Sequence, residues 1–78
     1  MGRPANWIKE IVKETEESDA RITRTNPFSG ESAELTQAAA AIYDTIKGAE
    51  MLGEYDVVRQ GLDWFRTKHA KEYMTLLD

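Results

Sequence analysis

Across residues 4–17 the apolar positions Trp7, Ile8, Ile11 and Val12, with Thr15, recur at spacings of one, three and four. That is one face of a helix. Lys9, Glu10, Lys13 and Glu14 take the other face. Pro4 suits a first helical turn, where a missing N–H costs nothing, and Asn6 is an alternative cap. Glu14, Glu16, Glu17 and Asp19 gather at the C-terminal end, where the helix dipole disfavours acids. The helix should therefore fray early.

The helical period is then lost. Ile22, Thr23, Arg24 and Thr25 are extended-type residues, and Asn26-Pro27-Phe28-Ser29-Gly30 is turn chemistry, with Pro27 biasing Asn26 away from helix. Three arrangements of residues 18–35 are open. They are a packed loop anchored by Ile22 and Phe28, a small hairpin with residues 31–35, or a segment ordered only by a partner. The packed loop is the expectation.

Periodicity returns at Leu35, which is placed to staple a helix capped by Thr36. Ala39, Ile42, Tyr43, Ile46, Ala49 and Leu52 form its apolar stripe, and Gly53 is a natural terminator. Glu54 and Asp56 then sit in the first turn of a third helix, where acids are favoured. Its stripe is Val58, Gly61, Leu62 and Phe65, widened by Val57 and Trp64. Glycine costs about 1 kcal/mol inside a helix, so Gly61 on this face predicts a close approach to the alanine face of the preceding helix. Trp64 and Phe65 point about 100° apart, and burying both takes two covering surfaces, more easily found in a dimer. A bend at His69 leads to a last short helix over 70–77. Its Tyr73, Met74, Leu76 and Leu77 must dock on the core or on another chain.

The pattern predicts an all-α fold. One domain spans 1–78, as three to four helices built on a central hairpin of about 36–52 and 54–68. The helical core is 36–78, the helix at 4–17 is loosely attached, and 18–35 is a long loop.

A chain of 78 residues has a small core, worth about 3–5 kcal/mol net unless something staples it. There is no cysteine, which removes disulfides and thiolate metal sites and fits a reducing compartment. No apolar run approaches the roughly 20 residues that cross a bilayer. The N-terminus lacks the apolar core of a signal peptide, and Asn6 stands where a myristoylation motif at Gly2 wants Ser or Thr. The expected location is the cytoplasm, with no membrane contact.

The net charge is −4, and it is concentrated. Between residues 25 and 58 the acids Glu31, Glu34, Asp44, Glu50, Glu54 and Asp56 face only Lys47. Nucleic-acid binding normally needs a basic stripe, so this middle argues against it.

Candidate chemistry is sparse. His69 and Glu72 lack a second nitrogen or sulfur ligand, and a solvated helix-junction residue explains His69 as well. No metal and no cofactor are expected. Glu50, Glu54 and Asp56 cluster near a helix junction without a nucleophile–base pair, so no enzyme is expected. A helix-turn-helix DNA-binding regulator would bring Glu54, Asp56 and Asp63 towards phosphates, against Arg59, Arg66 and Lys68. The acidic middle would alternatively imitate a phosphate backbone and block a DNA- or RNA-binding protein. Phe28 would either pack into its own core or present an aromatic anchor to a partner.

Arg24-Thr25-Asn26-Pro27-Phe28-Ser29-Gly30, Leu35-Thr36, Ile42-Tyr43-Asp44, Ile46, Gly48-Ala49-Glu50-Met51, Tyr55-Asp56, Gly61-Leu62-Asp63-Trp64-Phe65 and the closing Tyr73-Met74 with Leu76-Leu77-Asp78 form a pattern. It resembles a group of small uncharacterised proteins encoded by tailed bacteriophages. The resemblance covers residues 24–78 and assigns no site residues. It implies an early or accessory factor acting on a host or phage protein in the host cytoplasm. The function expected is therefore that of a non-enzymatic protein-binding factor. Phe28, Glu50, Glu54 and Asp56 are the candidate partner-binding residues, with a homodimer as an open possibility.

Overall fold

The computed structural model describes residues 6–77, so Gly2, Pro4 and Asp78 lie outside the described residues. Helix α1 (Trp7–Thr15) leads to a hairpin of strands β1 (Arg21–Thr25) and β2 (Ser32–Thr36). Helices α2 (Gln37–Leu52), α3 (Tyr55–Lys68) and α4 (Ala70–Leu76) follow. The all-α expectation is overturned, because four helices and a two-stranded antiparallel sheet make a mixed fold.

The long loop expected over 18–35 is that hairpin. Ile22 pairs with Leu35 and Arg24 with Ala33. Ile22, Ala33 and Leu35 turn towards the helices, while Thr23, Ser32 and Glu34 face water. The alternation is what a two-sided ribbon requires. β2 has weak strand propensity, and its pairing with β1 and the burial of Leu35 override it. Arg24 stands opposite small Ala33, and its guanidinium reaches Asp44 on α2 through two bonds of 2.9 and 2.7 Å. This fork pins the sheet to α2. It is half-exposed, and such pairs are worth about 0–1 kcal/mol.

Helix ends follow local chemistry. The Thr36 hydroxyl accepts from the Ala39 N–H at 3.1 Å, and Gly53 closes α2 at φ +73°, a conformation side chains rarely adopt. α1 stops at Thr15, before Glu16 and Glu17. Asn6 precedes it without a side-chain cap, donating instead to Glu10. His69 breaks the helix between α3 and α4, with φ −137° and ψ 59°.

The core gathers Trp7, Leu35, Ala39, Ala40, Ile42, Tyr43, Ile46, Ala49, Val57, Phe65 and Leu76. α3 lies along α2, and α4 lies beside β2. Leu76 docks in the core, but Met74 is exposed. Leu52, expected in the α2 stripe, is also exposed. It lies roughly 130° round the helix from the centre of the buried stripe.

Gly61 is buried against Ile46, not against the alanines. A Cβ there would meet Ile46 Cγ1 and lie 2.8 Å from its Cδ1. Gly61→Ala gains about 1 kcal/mol of helix propensity, but overpacking costs typically about 1–3 kcal/mol. The expected outcome is a lower urea midpoint; a higher one would show that Ile46 gives way freely.

Tyr43 lies in the core, its ring 6.5 Å from that of Phe65. Burial pushes its phenol pKa up, the Asp44 and Glu50 carboxylates add to the rise, and Arg24 opposes it. The folded chain thus holds this proton more tightly than the unfolded chain. The resulting stability is complete below the ordinary tyrosine pKa of about 10 and falls as pH rises through the folded value. Tyr43→Phe should flatten that alkaline loss. Denaturation midpoints of both chains at about pH 8 and about pH 10.5 would check it, and parallel declines would contradict it.

Candidate functional site

The turn between the strands is fixed at many points. Asn26 Oδ1 accepts from the N–H groups of Phe28 (2.8 Å) and Ser29 (3.4 Å), and the Asn26 carbonyl accepts from Gly30 N–H at 2.8 Å. Asn26 Nδ2 donates to the Thr75 carbonyl at 3.0 Å, which ties the turn to α4. Ser29 Oγ accepts from Glu31 N–H at 3.1 Å. Gly30 takes φ +78°, a conformation that favours glycine.

At the tip of this locked turn Phe28 is 94 % exposed. The sequence expectation that it anchors a packed loop is overturned, since Asn26 bonds the backbone in a shape that holds the ring outside. Ile22 alone turns inward, partly buried against the core.

Phe28 and Asn26 line a groove of about 260 Å³ with Lys47, Glu50, Val58, Leu62, Leu76 and Leu77. The hairpin tip, the end of α2, the first half of α3 and the end of α4 meet there. Two candidate residues far apart in sequence, Phe28 and Glu50, thus share one groove. Glu54 lines a separate depression with Asp44 and Leu52, and Asp56 is exposed in the first turn of α3. The structure does not bring all four together.

Three apolar residues are exposed at the α2–α3 junction: Met51 and Tyr55, which no helical stripe claims, and Leu52, expected on the buried stripe of α2. Met51 is 88 % exposed, Leu52 76 % and Tyr55 65 %. Met51 and Leu52 both fall outside the buried stripe of α2, and that offset was the available signal. They flank Glu50, Glu54 and Asp56, so the junction is apolar as well as acidic.

The acidic middle is less uniform than its sequence. Asp44 is held by Arg24, and Lys47 lies 3.6 Å from Glu50. Glu31 and Glu34 belong to the hairpin, away in sequence from Glu54 and Asp56 at the junction. On α3, Asp63 is engaged by Arg66.

No known family, curated protein or solved structure matches the chain.

His69 is not simply solvated. Its ring stands 5.2 Å from that of Trp64 and 5.7 Å from that of Phe65. Among the described residues no three His, Cys, Asp or Glu side chains group as a metal site. Among them, too, no helix is long and apolar enough to cross a membrane.

Proposed function

We propose that the chain is a non-enzymatic protein-binding factor that engages its partner through Phe28 and the adjoining groove. One observation carries this reading: a phenylalanine held 94 % exposed on a turn tied by its own side-chain and backbone bonds. Leaving a Phe in water forgoes about 1.5–3 kcal/mol of burial, a large sum for so small a core. Because the backbone that carries Phe28 is already fixed, docking orders only the ring itself, and such preorganisation helps a binding anchor gain affinity. Leu62, Leu77 and Val58 offer an apolar floor beside it, and Met51, Leu52 and Tyr55 extend the apolar character to the helix junction.

The resemblance of residues 24–78 to small tailed-phage proteins adds an origin to the proposal. The partner is then a host or phage protein, met in the host cytoplasm.

Salt separates this reading from imitation of a nucleic acid. Proteins of a host lysate retained on the immobilised chain should stay bound through about 0.5 M salt, because apolar anchoring is little screened. Elution of every specific protein by about 0.3 M salt, with loss of all binding in a Glu50→Lys/Glu54→Lys/Asp56→Lys chain, would overturn it in favour of the mimic.

A further inference from the structure

A second surface lies on the other side of α3, in the cleft between α1 and α3. Its floor is Ile8, Val12 and Trp64, all partly buried. Two adjoining depressions of about 460 and 410 Å³ share Ile8, Lys9, Trp64 and Lys68. The walls run from Ile8 to Glu16 and from Gln60 to Lys68. Each wall is roughly 12 Å long, about two helical turns. A trough between two helix faces of matched length is shaped for a third helix, packed ridges into grooves.

The charge on the rim is opposite to that of the chain as a whole. Lys9, Lys13 and Lys68 border the cleft, and among the described residues none has an ion-pair partner. Asp63, which also borders it, is engaged by Arg66, leaving Glu16 at one end as the opposing acid. Three free lysines around an apolar floor are a local basic site in a chain of net charge −4.

Trp64 supplies the anchor. Its ring is set edge-on against Phe65 at 5.9 Å and stands beside His69, so its position is fixed by packing. The Trp7 indole donates to Gln60 Oε1 at 2.8 Å, whereas among the described residues the Trp64 indole N–H has no acceptor. Tryptophan is among the residues enriched at the energetic centres of protein interfaces, and Trp64 is held by packing yet still partly open.

We propose that this cleft docks an acidic amphipathic helix of a partner protein. Apolar side chains at i, i+3, i+4 and i+7 would cover Ile8, Val12 and Trp64, and Asp or Glu on the helix flanks would meet the three lysines. This site is separate from the Phe28 groove and stands or falls without it.

The test uses the ¹⁵N-labelled full chain and two synthetic amphipathic peptides. Both carry Leu at i, i+3, i+4 and i+7, one with Glu on its flanks and the other with Lys. With the Glu peptide the indole N–H resonance of Trp64 should shift progressively and by more than that of Trp7, which is buried and reaches the cleft only through its acceptor Gln60. Lys9→Glu/Lys68→Glu, two exposed positions, should weaken that binding about tenfold or more without lowering the melting midpoint. Equal binding of the Lys peptide, shifts confined to other faces, or no shift at about 1 mM Glu peptide would overturn the proposal. A molar mass of the unliganded chain that rises with concentration, and no longer does so in Lys9→Glu/Lys68→Glu, would also overturn it. It would assign the cleft to a second copy, whose acidic junction carries Met51, Leu52 and Tyr55.

Discussion

Replacing Phe65 with alanine is expected to unfold most of the chain at room temperature. Phe65 is fully buried between α2 and the aromatic pair of Trp64 and His69, with the Tyr43 ring 6.5 Å away. Its removal leaves a cavity lined by Tyr43 and neighbouring core residues. Phe-to-Ala changes at such sites cost about 3–5 kcal/mol, which equals the whole net stability expected of a core this small. No disulfide is present to hold the remainder together. Circular dichroism should show lost helix and a broad, non-cooperative melt. A Phe65→Ala chain that melts cooperatively at the wild-type midpoint would refute the placement of Phe65 at the centre of the core.

Replacing Phe28 with alanine should do the reverse. The ring is almost wholly in solvent, so folding stability should change by no more than about 0.5 kcal/mol. Binding should suffer heavily, because aromatic anchors at interface centres carry about 2 kcal/mol or more, roughly thirtyfold in affinity. The turn will keep its shape in this variant, since the bonds that define it come from Asn26, Ser29 and Gly30 and not from the ring. The loss would then report the anchor and not a disordered loop.

Phe65 and Phe28 also show what could be read from the sequence. Phe65 sits on a helical period, and periodicity states directly which face is buried. Thr36 and Gly53 were equally legible, because a cap is a local matter of one side chain or one backbone angle. The sheet was not. Ser32, Ala33 and Glu34 have weak strand propensity, and only pairing with Ile22, Thr23 and Arg24 makes them a strand. The direction of Phe28 was hidden for a related reason. Turns carry no period, and the side-chain bonds of Asn26 that aim the ring outward appear only with the turn's geometry.

The shared groove of Phe28 and Glu50 is likewise a product of tertiary folding, since it forms where α4 returns beside the hairpin. Leu52 was misplaced on the buried stripe of α2 although its angle round the helix argued otherwise. The cleft between α1 and α3 could not be read from either helix alone, because its floor draws Ile8 and Val12 from one wall and Trp64 from the other.

The most direct measurement is a side-by-side capture from a lysate of the proposed bacterial host on immobilised wild-type and Phe28→Ala chains, each first shown to melt at the same temperature. At least one protein should be retained by the wild type in about 0.5 M salt and be lost, or reduced about thirtyfold, on Phe28→Ala. The same proteins retained in the same amounts by both chains would contradict the assignment of Phe28 as the binding anchor.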